Sequence, residues 1–160
     1  MTRLLKIKAR NCELHNLTSL IQSEGKRLAW RAFPMGETME IVGDLSPLGT
    51  TAVEFGQQVD ASDAGVALDW DSLNVLAEAI HQTIWGTFLG CKSNNSFAGL
   101  GAMFLDHYRY LDRATPEFYQ TIDIGFQAVD SSFWLVYAKN EAVMECIGSA
   151  FEEVEGITVE

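Results

Sequence analysis

The longest helical pattern of apolar residues in the chain lies within Asp69–Cys91, DWDSLNVLAEAIHQTIWGTFLGC. Apolar residues recur there at spacings of three and four, which places them on one face of an amphipathic helix. Asp69 can cap the amino terminus, Asp71 adds favourable negative charge in the first turn, and Gly90 is a stop signal. The pattern predicts a helix over Trp70–Leu89 around which the fold is organised. Its apolar face comprises Leu73, Leu76, Ala77, Ile80, Ile84 and Phe88.

The segments before this helix alternate between strand and helix patterns. Alternating apolar and basic residues predict a half-buried first strand, and four apolar residues at helical spacing predict a short helix after it. A Pro-Met-Gly turn then predicts a hairpin between two strands, and another strand follows a loop. The predicted elements are, in order, strand Arg3–Ala9, helix Glu13–Glu24, hairpin strands Arg27–Phe33 and Glu37–Val42, and strand Ala52–Val59.

The segments after the long helix again mix the two types. We predict helix Ala102–Leu111, strands Tyr119–Val129 and Phe133–Ala138 joined as a hairpin by Asp130–Ser132, and a last helix Glu141–Glu153 capped by Asn140. Strict βαβ alternation is absent, which favours the α+β class. The expected architecture is a single domain over residues 1–160, with a largely antiparallel sheet packed against two or three amphipathic helices.

Composition adds an expected compartment. The three cysteines, Cys12, Cys91 and Cys146, are far apart and form no CxxC pair, so neither a disulfide framework nor a zinc ribbon is indicated. We found no signal-peptide pattern and no apolar run long enough to span a membrane. These features predict a soluble protein of the reducing cytoplasm.

Charge is distributed very unevenly along the chain. Residues 1–33 hold seven basic and two acidic residues, a net of +5, whereas residues 34–160 hold four basic and twenty acidic residues, a net of −16. Such a field repels nucleic acid and anionic membranes and attracts basic proteins. The alternative is that the acidic surface serves only solubility.

Candidate chemistry is sparse. Glu78 and His81 form an ExxH pair, which on one helix face would suit a di-iron site, but such sites need a second pair and further glutamates. A solvated Glu beside a half-buried His is the simpler interpretation. His15 and His107 are not spaced to activate a nucleophile, and Cys91 and Cys146 are expected to be small buried hydrophobic residues. No cofactor motif or metal site is predicted.

The aromatic and acidic residues offer a candidate binding surface. Trp85 and Trp134 lie in strongly patterned elements and are expected in the core, whereas Trp70 lies between two aspartates and could be exposed. For each carboxylate the alternative is a helix cap or a solvated turn residue. The candidate partner-binding residues are Glu54, Asp60, Asp63, Asp69, Trp70 and Asp71.

Two segments carry a family resemblance. Residues 68–90 have the arrangement W-x-x-L…A-x-x-I-x-Q-x-x-x-G-x-F, and residues 130–157 combine a strand with a following helix. Both resemble segments of the cytoplasmic immunity proteins of bacterial polymorphic-toxin and contact-dependent growth inhibition systems. The resemblance covers about a third of the chain and transfers no site residue. It implies a non-enzymatic protein that binds and neutralises a basic toxin domain, for which we expect a nuclease.

Two other functions fit the same sequence. A secretion chaperone is also small, acidic and α+β, but it is usually dimeric and holds an extended cargo segment, whereas we expect an inhibitor to be monomeric. An enzyme of unrecognised type would use Glu78, His81 or His107. Oligomeric state and metal content distinguish these alternatives.

Overall fold

The structure, a computed structural model, describes all residues, 1–160. It is an α+β fold with seven α-helices and eight strands, which confirms the predicted class. The strands are β1 Thr2–Lys8, β2 Ala29–Phe33, β3 Glu40–Gly43, β4 Val66–Leu68, β5 Ile80–Cys91, β6 Ile124–Val129, β7 Phe133–Ala138 and β8 Val154–Val159. The helices are α1 Leu14–Leu20, α2 Gln22–Gly25, α3 Ala52–Asp60, α4 Trp70–Ala79, α5 Leu100–Leu105, α6 Pro116–Thr121 and α7 Glu141–Ser149.

The strands form one antiparallel sheet in the order β4-β2-β5-β6-β7-β1-β8. The twelve-residue strand β5 is the longest strand and pairs with three others. Strand β3 pairs with the first half of β5, β2 pairs with the second half, and β6 pairs along Gly86–Gly90. The first strand, β1, lies between β7 and β8.

Helices cover both faces of the sheet. The larger core lies between one face and α1, α3, α4 and α7, and contains Trp30, Phe126 and Trp134. The smaller core lies between the other face and α5 and α6, and contains Phe104 and Phe118. Successive residues of a strand point to opposite faces of the sheet. Since both faces are covered, strands β5, β6 and β7 carry apolar residues on both.

The prediction of one helix over Trp70–Leu89 is wrong. Helix α4 begins at Trp70 as predicted, but it ends at Ala79, and β5 follows without a loop. The residues after Ala79 are rich in β-branched and aromatic side chains, which favour a strand. The apolar spacing of three and four continues into this segment, so spacing alone could not reveal the change.

Two further segments differ in type from the prediction. Residues 52–59 lie in helix α3 and not in a strand, and the Thr51 hydroxyl oxygen caps α3 by accepting the Glu54 amide at 3.1 Å. The predicted strand Tyr119–Val129 is helix α6 at its start and strand β6 only from Ile124 onward. In both cases a threonine N-cap precedes the helix, a signal that outweighs alternation.

Other predicted boundaries or pairings also need correction. The two strands flanking Pro34–Gly36 do not pair with each other, since each pairs with β5. Helix α5 ends at Leu105, short of the predicted Leu111. Helix α7 ends at Ser149, and the edge strand β8 after it was not predicted. The predicted helix Glu13–Glu24 is interrupted at Ile21 and forms the two helices α1 and α2. The first strand and the hairpin of β6 and β7 are confirmed.

The hairpin turn between β6 and β7 gives a test of stability. Asp130 and Ser131 have φ angles of 49° and 58°, the left-handed pair that tight hairpins require and that favours glycine at the second position. We expect Ser131→Gly to raise the free energy of unfolding by about 0.5–1 kcal/mol, because it removes left-handed strain. Urea denaturation measures the change. The matched control, Ser132→Gly, should be neutral or destabilising, and equal stabilisation by both variants would contradict the assignment.

Candidate interaction site

A surface hollow of about 760 Å³ lies between the loop after β2, strand β5 and the turn after α5. We call it the aromatic hollow. Three of its lining residues are aromatic and one is a carboxylate. It is lined by Met35, Gly36, Glu37, Thr38, Trp85, Leu105, Tyr108 and Tyr110.

The rim of the aromatic hollow is formed by an unusual turn. Tyr108 and Arg109 have φ angles of 56° and 55°, which is uncommon for residues other than glycine. The turn sends the two side chains to opposite environments, since Tyr108 is 70% exposed and Arg109 is 4% exposed. Two consecutive left-handed residues cost free energy, so surrounding contacts must hold the turn.

The Arg109 guanidinium supplies the first of these contacts. Its Nη1 donates to the carbonyl oxygen of Gly36 at 3.0 Å, and its Nη2 donates to Oδ1 of Asp63 at 3.0 Å. One buried cation thereby joins three separate segments: the loop after β2, the turn before β4 and the turn after α5. Because the Arg109 side chain is buried whereas that of Asp63 is exposed, loss of the Asp63 carboxylate would leave a buried guanidinium without its counter-charge, at a cost in stability.

Gln127 on strand β6 holds the same turn from the side of the sheet. Its Nε2 donates to the Arg109 carbonyl oxygen at 2.7 Å and to Oγ1 of Thr87 at 2.8 Å, and its Oε1 accepts the Leu111 amide at 2.9 Å. The Thr87 hydroxyl donates to the carbonyl of Pro34 at 3.1 Å. Gln127 and Thr87 are fully buried, and the paired polar atoms of these two side chains make their surroundings rigid.

Tyr119 completes the network. Its hydroxyl donates to the Leu111 carbonyl oxygen. Desolvation is the main reason that the pKa of Tyr119 lies well above its ordinary value. The hydroxyl therefore stays protonated and remains a donor at every pH at which the protein would be studied.

The opposite wall of the aromatic hollow is the loop Met35–Thr38, whose two end residues exchange backbone hydrogen bonds of 3.0 and 3.1 Å. Asp60 Oδ1 accepts the Met39 amide at 2.7 Å. Gly86 on β5 makes room for Met39, because a Cβ atom there would lie 2.5 Å from the methionine sulfur. The loop is therefore held by α3 and β5 as well as by Arg109.

Two of the predicted partner-binding residues thus lie beside the aromatic hollow. Asp60 and Asp63 brace its walls through the hydrogen bonds just described. Asp69 caps α4 by accepting the Ser72 amide at 2.7 Å, and this bond from the Ser72 backbone holds the pKa of Asp69 below its ordinary value. Glu54 lies in the first turn of α3, and its Oε2 accepts the Thr50 hydroxyl at 3.3 Å.

The other two predicted residues differ from each other. Asp71 is exposed in the first turn of α4. Trp70 is half-buried and does not stand out among carboxylates as the sequence suggested. Its ring lies 5.8 Å from that of Trp30, and its Nε1 donates to Oε1 of Gln22 at 3.3 Å. No contact joins the six predicted residues into one patch.

Sequence reasoning missed the aromatic lining. Trp85 was expected in the core because it was assigned to a helix, but on strand β5 it is half-buried and faces the hollow. Tyr108 and Tyr110 were assigned to a helix that in fact ends at Leu105. The alternation of His107-Tyr108-Arg109-Tyr110 was the one signal of a non-helical segment. The expectation for Trp134 is confirmed, since it is buried.

The structure also places the candidate catalytic groups. Glu78 lies in the last turn of α4 and His81 belongs to β5, so they do not share a helix face, and no three His, Cys, Asp or Glu side chains converge as metal ligands would. Burial raises the pKa of the Cys12 and Cys91 thiols to about 12, which keeps both protonated at neutral pH. Cys146, expected to be buried, is exposed.

No protein-family model, curated protein or solved structure matches the chain. No helix combines the length and the apolar character that crossing a bilayer requires.

Proposed function

We propose that the protein is a stoichiometric inhibitor of the immunity type, which binds a basic toxin domain through the aromatic hollow and blocks its active site. The observation that carries the proposal is the hollow itself. Exposed Tyr108 lies beside Trp85 on a turn that a buried polar network holds, and exposed Leu105 lines the same hollow. Aromatic side chains in preorganised positions are the usual anchors of tight protein interfaces, since little entropy is lost when they bind.

The acidity of the chain supports a basic partner. Residues 34–160, which supply every lining residue of the hollow, carry a net charge of −16. Charge complementarity accelerates association and disfavours wrong partners, while desolvated anchors supply most of the affinity. A nuclease is the partner class we propose, because the basic surface that a nuclease offers to phosphates also attracts an acidic inhibitor. Of the six predicted binding residues, the five carboxylates contribute to this field.

The proposal is tested by co-purification from a native lysate followed by an activity assay. We expect one basic partner at 1:1 stoichiometry, whose nuclease activity the wild-type protein suppresses. Tyr108→Ala should weaken binding at least tenfold, because it removes an exposed anchor without touching the core. The control is Val53→Ala on α3, which truncates a side chain of similar exposure elsewhere and should leave binding unchanged.

Three outcomes would contradict the proposal. Absence of a basic partner would remove its basis. Equal retention of the partner by Tyr108→Ala and by the wild type would exclude the hollow as the binding surface. An extended cargo segment bound to a dimer would instead indicate a secretion chaperone.

A further inference from the structure

The lining of the aromatic hollow has the chemistry of a cation site. Trp85, Tyr108 and Tyr110 contribute aromatic rings, Glu37 contributes a carboxylate, and no basic side chain lines the hollow. The face of an aromatic ring attracts a cation through its quadrupole, and indole does so most strongly. Its volume of about 760 Å³ also lies within the ~300–1,000 Å³ typical of ligand clefts.

The carboxylates make a cationic occupant preferable to an apolar one. Glu37 is exposed, and Glu40 on β3 is paired opposite Trp85 on β5. An apolar side chain that filled the hollow would displace water from the Glu37 carboxylate without offering it a hydrogen bond or a counter-charge, which costs free energy. A cation would compensate that loss by pairing with the carboxylate.

The arginines nearby do not neutralise the site. Arg109 points away from the hollow and is committed to Asp63 and the Gly36 carbonyl. Arg113 lies with its Cζ atom 4.9 Å from the centroid of the Tyr110 ring, so it already occupies one face of that ring. The aromatic surface open to a partner is therefore mainly that of Trp85 and Tyr108.

The geometry of the cationic group favours arginine over lysine as the occupant. A guanidinium is planar, stacks on aromatic faces, is weakly hydrated and can pair with a carboxylate through two parallel hydrogen bonds. The chain itself uses this contact twice, in Arg113 over Tyr110 and in Arg31 over Phe97 at 4.7 Å.

We infer that the aromatic hollow receives an arginine side chain of the partner protein, whose guanidinium lies against Trp85 and Tyr108 and pairs with Glu37. The inference rests on the proposed function, because it names the group of the basic partner that the hollow recognises. An arginine that the partner needs for phosphate contact is the group whose capture would block a nuclease.

The probe for this inference is N-acetyl-arginine amide, titrated into the intact protein while the four indole N–H signals are followed by NMR. We expect the Trp85 signal, identified by its absence in Trp85→Phe, to shift saturably at millimolar probe, and the signals of Trp30 and Trp134 to stay fixed. N-acetyl-citrulline amide, which has the same shape without the charge, should bind at least fivefold more weakly. Glu37→Gln should weaken arginine binding by at least threefold, and Glu152→Gln, at an exposed site after α7, should not.

The outcomes separate the inference from the proposed function. Equal binding of the arginine and citrulline probes, or no Trp85 shift with either, would overturn the arginine site. If Tyr108→Ala still abolished capture of a basic partner in that case, the proposed function would stand. A selective arginine site in a protein that captures no partner would instead overturn the proposed function alone.

Discussion

Replacement of Gln127 by Leu is expected to lower the free energy of unfolding by about 3–5 kcal/mol. The side chain is fully buried and satisfies the Arg109 carbonyl, the Leu111 amide and the Thr87 hydroxyl oxygen. Leu has a similar size but pairs with none of them. Each buried polar group left without a partner costs ~1–3 kcal/mol, and the costs within one network are not simply additive.

Urea denaturation followed by circular dichroism measures the effect of Gln127→Leu. The matched control is Gln58→Leu on α3, where the side chain is exposed and the same substitution should change stability by less than ~0.5 kcal/mol. Hydrogen exchange adds a local readout, since the Leu111 amide should lose protection. A change below 1 kcal/mol would mean that the network does not hold the Tyr108–Arg109 turn.

Replacement of Phe104 by Ala should cost about 3–5 kcal/mol, as large-to-small changes at fully buried aromatic positions do. The Phe104 ring is stacked on Phe118 with centroids 4.9 Å apart and meets the Phe33 ring edge-on at 5.8 Å. These contacts attach α5 to the sheet. Because α5 leads directly into the turn that carries Tyr108, the cavity left by the variant would also loosen the rim of the aromatic hollow.

The adjacent residue provides the control for Phe104→Ala. Leu105 is 42% exposed and lines the hollow, so Leu105→Ala should cost less than ~1 kcal/mol in unfolding experiments. The two variants together test the orientation of α5. Similar losses of stability for both would show that the helix presents a different face to the sheet.

The elements that were predicted correctly are those whose signals are local. Strand β7 is a run of aromatic and β-branched residues, and the turn Asp130–Ser132 marks its hairpin. Helices α4 and α7 begin where Asp69 and Asn140 place an N-cap. Each of these features depends on side chains within a few residues of the backbone that they organise.

The end of α4 could not be predicted in the same way. Helix α4 passes into β5 at Ala79–Ile80, where the sequence has neither glycine nor proline. The apolar spacing suits a helix on both sides of this junction. The composition of residues 80–91 favours a strand, and pairing with β2, β3 and β6, which come from other parts of the chain, fixes it as one. Tertiary pairing overrode a periodic pattern that had no local stop signal.

The candidate site shows the same limit. Asp60 and Asp63 were selected as surface charges, yet their oxygens accept hydrogen bonds from Met39 and Arg109. The exposure of Tyr108 depends on a left-handed turn held by Gln127, which lies nineteen positions further along the chain. No local pattern encodes that dependence, so the aromatic hollow became visible only when these segments were brought together.

The position of β1 between β7 and β8 has a consequence for synthesis. The first strand of the sheet to be synthesised pairs only with the last two, since Leu5 is paired opposite Val136 on β7 and Thr2 opposite Val159 on β8. Strand β1 therefore has no pairing partner, and its apolar side chains stay exposed, until β7 and β8 have been synthesised. Such long-range closure slows folding and prolongs the exposure of these apolar side chains to aggregation.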